Sequence, residues 1–124
     1  MPPAKRRKRK ASTVTWETVR DLALALPEVE EGKSYGTLAF RIRGKLFARL
    51  HDSGEAVVVK IEREERALRM KADPEAFYIT DHYLAYPWML VRMAAVEPDV
   101  LRELLEEAWR LSAPGRLVTA YDRA

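Results

Sequence analysis

Both histidines of the 124-residue chain stand beside acids, as His51-Asp52 and Asp81-His82. That pairing is what a metal site or a carboxylate-oriented general base requires. No third ligand is spaced to join either pair, so Asp52 reads as a turn residue, Asp81 as the cap of a bend, and no metal or cofactor is expected. Phe77, Tyr78, Tyr83, Tyr86 and Trp88 crowd around His82 in sequence. Such a run either packs into a core or lines a pocket. The pocket version is a small-ligand or metabolite site of Tyr35, Lys45, His82, Tyr83 and Trp88, in which Lys45 pairs with an anionic group.

A second set of residues suits a polyanion. Lys5, Arg6, Arg7, Lys8, Arg9 and Lys10 form an unbroken basic block, and the stretch from Leu38 to His51 contains no acid. Flexible cations near nucleic acid release condensed counterions and bind without sequence choice. If Arg41, Arg43, Lys45 and Arg49 share an open sheet face with Phe47, four cations around an aromatic ring suit backbone contact and base stacking. Outward-facing arginines also serve simply as solubilising edges. The formal net charge is +3 with 22 Lys and Arg against 19 Asp and Glu. Subtracting the six tail cations from 22 leaves 16 bases against 19 acids, or −3, so the body is mildly acidic. Its acids concentrate in Glu28 to Glu31 and on the expected helices, which predicts an electrically polarised body.

Other chemistries are excluded by residue type. With no cysteine there is no thiol nucleophile, disulfide framework or thiolate metal site. The five glycines are scattered, so no G-x-G-x-x-G or phosphate loop exists, and no serine sits in a G-x-S-x-G elbow. The chain reads as a non-enzymatic protein. Its longest apolar stretch, Tyr83 to Val91, is interrupted by Pro87 and is too short to span a bilayer. The basic N-terminus lacks an apolar segment behind it, so no secretory signal is expected and a cytoplasmic location follows.

The elements that must hold these groups come from periodicity. Residues 1–14 read as a disordered basic tail and 15–124 as a single domain. Thr15 caps a helix with Trp16, Val19, Leu22, Ala23 and Leu26 on its apolar side, stopped by Pro27. The segment from Pro27 to Gly36 reads as an acidic loop. From Leu38 to Ile61 the period changes to two, with turn signals at Arg43-Gly44-Lys45 and Asp52-Ser53-Gly54: an antiparallel meander. A three-residue first turn puts Leu38, Phe40, Leu46, Ala48 and Leu50 on one face, and Arg41, Arg43, Lys45, Phe47, Arg49 and His51 on the other. A two-residue turn breaks up that basic face. A helix over Glu62 to Ala72 with Leu68 and Ala72 on one side, a strand from Pro87 to Val96 and a helix from Pro98 to Leu111 follow, and the last residues fray. The order predicts an α+β two-layer sandwich, an antiparallel sheet with helices packed on one face.

From Trp16 to about Leu117 the chain resembles the MmcQ/YjbR family of small bacterial proteins. The resemblance rests on Leu24-Ala25-Leu26-Pro27-Glu28, Ser34-Tyr35-Gly36, Phe40-Arg41-Ile42-Arg43-Gly44-Lys45-Leu46-Phe47-Ala48, Asp73-Pro74-Glu75-Ala76-Phe77, His82 with Trp88, and Ala108-Trp109-Arg110-Leu111 before Ala113-Pro114. It implies a CyaY-like α+β fold and DNA binding by a double-wing arrangement, and it carries no catalytic residues. Relatives often read His-x-Asn-Lys-x-x-Trp where this chain keeps His82 and Trp88 but has Leu84 and Ala85 between them. A contact made by that lysine is therefore missing.

The leading expectation is a DNA- or RNA-binding protein in which the tail supplies affinity and the basic sheet face orientation. The alternatives are a small anionic ligand in the aromatic pocket, and an adaptor whose tail reads acidic protein partners.

Overall fold

The computed structural model of the protein describes residues 13–124, so the basic block Lys5 to Lys10 lies outside the described residues. Val14, expected to belong to the tail, is buried in the core. Helix α1 (Trp16–Leu24) starts at Thr15, whose backbone N–H donates to the Thr18 hydroxyl at 3.1 Å. It buries Val19 and Ala23, and the Trp16 ring stacks on Phe40 at 5.4 Å.

The acidic segment expected as a loop is instead strand β1 (Val29–Ser34), antiparallel to β2 (Thr37–Ile42) from Val29↔Ile42 to Ser34↔Thr37. Edge strands need no apolar alternation, because their backbone pairs on one side and their charges face water on the other. That is why no period marked it. Tyr35 and Gly36 join the two strands with φ of 53° and 82°, the two-residue turn whose twist matches a hairpin.

Between β2 and β3 (Lys45–Leu50) the expected three-residue turn is a two-residue one. Arg43 and Gly44 take φ of 52° and 81°, and Ile42 pairs with Lys45. Two steps on, the register shifts: Arg41 opposes Leu46, yet Phe40 opposes Ala48, leaving Phe47 as an extra residue in a β-bulge. The shorter turn and the bulge cancel for Phe40, Ala48 and Leu50, which face the helices as expected. They do not cancel for Leu46 and Phe47. Phe47 is fully buried beneath the helices, and Leu46 goes to the opposite face of the sheet. The expected placement of Phe47 among outward cations is thus corrected.

Strand β4 (Ala56–Lys60) pairs with β3 and with β6 (Trp88–Arg92), and β5 (Phe77–Tyr78) closes the far edge, giving a six-stranded antiparallel sheet in the order β1-β2-β3-β4-β6-β5. The fold is α+β. Helix α3 (Pro98–Ser112) buries Leu101, Leu104, Leu105, Ala108 and Trp109 over the sheet, and the Trp109 indole donates to the Pro27 carbonyl at 3.0 Å. The terminal residues expected to fray form α4 (Gly115–Arg123), where Tyr121 meets Trp109 edge-on at 5.1 Å. Helix α2 (Arg63–Ala72) departs further from its periodicity: Leu68 is 65% exposed, and the buried residue is Arg66. Among the described residues no helix is long and apolar enough to cross a membrane.

The sheet has two cores. Val57, Val59, Met89 and Val91 pack under the helices, while Ala56, Val58 and Leu90 point the other way and meet Tyr83, Tyr78, Ile79 and Trp88. The aromatic connector folds over the second face, which explains why four successive residues of β4 are buried. Phe47→Ala is expected to cost about 3–5 kcal/mol in chemical denaturation, matching Phe40→Ala, because both delete a fully buried ring. A cost below about 1 kcal/mol would refute the bulge register.

Candidate functional site

Where the connector arches over the second face it leaves a cleft of about 770 Å³. Leu46, Arg49, Val58 and Trp88 come from the sheet, His51 and Asp52 from the β3–β4 turn, and Thr80, His82, Tyr83 and Tyr86 from the connector. Tyr35 reaches it from the tip of the first hairpin.

The connector has little regular structure, a single 3₁₀ turn at Asp81–Tyr83, so its backbone carbonyls need partners. The Tyr83 and Tyr86 carbonyls accept from the backbone N–H groups of Tyr86 and Trp88 at 3.1 and 2.8 Å, and Arg66 adds a side-chain donor to four carbonyls of residues 83–88. Its Nη1 donates to the carbonyls of Tyr86 (2.7 Å), Trp88 (3.0 Å) and Tyr83 (3.1 Å), and its Nη2 to that of Leu84 (3.3 Å). Arg63 donates to the Ala85 carbonyl. Among the described residues no carboxylate is a hydrogen-bond partner of Arg66, and burial, with Arg63 nearby, lowers the pKa of its guanidinium. A guanidinium keeps its charge even so, and its planar fork can serve several acceptors at once. Nothing in the sequence marks Arg66, since one arginine in a helix full of charges has no distinguishing period.

Arg49 forms the polar floor. It is 9% exposed, and its Nη2 donates to the Tyr83 hydroxyl at 2.6 Å. Nη1 donates to the Leu50 carbonyl (3.1 Å) and the Thr37 hydroxyl (3.3 Å), with Asp52 Oδ1 at 3.5 Å. The Tyr35 ring centroid stands 5.9 Å from the guanidinium carbon. Tyr35 itself is 91% exposed at positive φ, a conformation that costs a bulky residue roughly 1 kcal/mol and presents its ring at the cleft mouth.

Four of the five expected pocket residues, Tyr35, His82, Tyr83 and Trp88, line the cleft. Lys45 does not, because it pairs with Ile42, whose side chain faces the helices. The arginine or lysine that lines the cleft is Arg49. Tyr86 belongs to the aromatic run but not to the expected pocket, Asp52 was legible as a turn residue only, and no period or motif marks Thr80. His51 and Asp52 have separate partners in the turn where Asp52 is expected: the Ser53 N–H donates to His51 Nδ1 at 3.2 Å, while Asp52 meets Arg49. The Ser53 hydroxyl accepts from the Glu55 N–H at 3.2 Å, so this serine and histidine hold a turn together. His82 packs edge-on against Tyr83 at 4.7 Å. Among the described residues no group of three His, Asp or Glu converges to hold a metal.

The expected basic face does not assemble. Phe47 is in the core and Arg49 is sunk in the cleft. Arg43 sits at a hairpin tip bonded to Glu28 at 2.6 Å, which lowers the Glu28 pKa, and Arg41 donates to the Lys33 carbonyl at 3.0 Å. Lys45 is exposed beside that tip. Strand β1 lays the acidic segment against the basic one, Glu30 opposite Arg41, so at this edge the predicted charge polarisation is neutralised rather than displayed.

The family model YjbR matches residues 24–111. This chain belongs to the YjbR family. It is 40% identical over 70 residues to the Uncharacterized protein Rv2570 of Mycobacterium tuberculosis (strain ATCC 25618 / H37Rv), a match covering 56% of this chain and 54% of the relative. The same figures hold for the Uncharacterized protein Mb2600 of Mycobacterium bovis (strain ATCC BAA-935 / AF2122/97), so the match spans about half the length of these curated relatives. The crystal structure of Deinococcus radiodurans protein DR2400, a DUF419 domain and thus the same family under another name, is similar in fold. It superposes with a TM-score of 0.69 at 20% identity over 79% of this chain and 78% of that one.

In this YjbR-family chain Arg66→Gln is expected to destabilise the fold by about 3 kcal/mol or more, since it removes four charge-assisted bonds from one arch of chain. Arg66→Lys recovers only part, an ammonium being unable to fork across four acceptors. Urea denaturation measures the loss, and hydrogen exchange should show it concentrated at residues 83–88. Uniform loss of protection would mean Arg66 is no special anchor of the connector.

Proposed function

We propose that the protein is a non-enzymatic binding protein whose cleft takes a small ligand with a flat apolar ring. The observation that carries this is the company the cleft keeps: the rings of Tyr35, His82, Tyr86 and Trp88 around a space of about 770 Å³, with the buried Arg49 guanidinium on its floor. That volume lies within the roughly 300–1,000 Å³ of small-molecule sites, and mostly apolar walls with a few fixed polar groups are their usual make-up. Flat ligands stack on such rings at low entropic cost, because aromatic side chains have few torsions to freeze. The absence of cysteine suits the reducing cytoplasm, the compartment we assign.

Titrating the full chain with 2-naphthamide is expected to move amide resonances at Tyr35, Tyr86 and Trp88. Trp88→Ala should weaken binding about fivefold, from roughly 1 kcal/mol of aromatic contact. Shifts scattered over the surface, or none, would sink the cleft reading.

A second reading, nucleic-acid association, is supported by the six cations Lys5 to Lys10 set against a body of net −3, together with the family resemblance. On that reading the tail carries the affinity for duplex DNA or RNA. The plot of log K against log salt should have a slope of about −5 from six phosphate contacts at roughly −0.9 each, and deleting residues 1–12 should remove it. An unchanged slope after deletion would exclude the tail.

A further inference from the structure

Arg49 is a buried cation with little negative charge around it. Its three closest oxygens, from the Tyr83 hydroxyl, the Leu50 carbonyl and the Thr37 hydroxyl, are neutral. Among the described residues the carboxylate it reaches is that of Asp52, whose Oδ1 lies 3.5 Å away at the outer limit of a hydrogen bond and whose side chain is 75% exposed. A desolvated guanidinium gains most from a close, planar carboxylate, whereas a long contact to a solvated side chain contributes little. Both Arg49 and Asp52 line the aromatic cleft.

We infer, resting on the reading that the cleft binds a planar ring, that its ligand carries a carboxylate which displaces Asp52 from Arg49, so that Asp52 sets affinity by competing for the same guanidinium. The geometry favours a carboxylate over a phosphate. Arg49 is the one permanent cation among the lining residues, and a dianion would meet stronger repulsion from Asp52 with no second permanent cation to offset it. His51 and His82 also face the cleft, one bonded within its turn and the other packed on Tyr83, so the anion contact falls to Arg49.

Calorimetric titration of the full chain with 2-naphthoate, its neutral isostere 2-naphthamide and 2-naphthyl phosphate tests the proposal. Naphthoate is expected to bind more tightly than naphthamide. Asp52→Asn should tighten naphthoate about two- to fivefold relative to naphthamide, the scale of one exposed ion pair released, so that the acid-to-amide ratio rises. Arg49→Gln should erase the preference for the acid over the amide. If naphthamide binds but Asp52→Asn leaves the acid-to-amide ratio unchanged, the competition is refuted while the cleft reading stands. A larger gain for naphthyl phosphate than for naphthoate would overturn the carboxylate. Binding of none of the three would remove the cleft reading and this proposal with it.

Discussion

A single guanidinium holds the second face of this sheet together. The connector between β5 and β6 has a single 3₁₀ turn and a few short-range backbone bonds, and its arch must be held against the sheet from outside. Arg66 enters from α2 and accepts that task, donating to the carbonyls of Tyr83, Leu84, Tyr86 and Trp88. The cost is a cation buried without a carboxylate partner, offset by carbonyl dipoles aimed at it from one arch of chain. Because those carbonyls converge, the side chains between them diverge. Tyr83 drops onto Val58 and Leu90, while His82, Tyr86 and Trp88 border the cleft.

The bulge at Phe47 does comparable work on the other side of the cleft. An unbroken β3 would send either Phe47 or Ala48 away from the helices, exposing a phenyl ring or leaving a space in the core. Inserting one residue lets both face inward and restores the alternation beyond it, so that Arg49 lies beside the second core and opposite Val58. The floor of the cleft thus follows from a packing solution on the opposite face. Arg49 then ties that floor to the arch through the Tyr83 hydroxyl, which joins β3 to a residue 34 positions later.

Electrostatics divides along the same lines. At the β1–β2 edge, cations meet acids across strands and loops: Arg20 with Glu31 at 2.9 Å and Arg43 with Glu28 at 2.6 Å. Such exposed pairs contribute little to stability, but they reduce the bare positive surface that a polyanion would need. On the helices Arg69 sits between Glu65 and Glu103, and Arg110 between Glu106 and Asp122. In the cleft, by contrast, Arg49 is almost wholly buried, and the carboxylate it meets among the described residues, that of Asp52 at 3.5 Å, belongs to an exposed side chain.

The sequence by itself determined what depends on local period and residue type. The apolar faces of α1 and α3, the meander from Leu38 to Ile61 and the α+β class are legible because burial on one face imposes a spacing of 3.6 or 2. The aromatic run around His82 announced one side of the cleft, formed by His82, Tyr83, Tyr86 and Trp88. Tertiary structure decided the rest, for three physical reasons. An edge strand such as β1 is recruited by its neighbour's unpaired backbone and needs no hydrophobic pattern. The parity of β3 depends on a turn length and a bulge, and one residue either way exchanges the faces of Leu46 and Phe47. Arg49 and Arg66 owe their roles to partners distant in sequence: the Tyr83 hydroxyl for one, the carbonyls of 83–88 for the other. Backbone carbonyls are the same at every position, so no reading of side chains could show which ones an arginine would find.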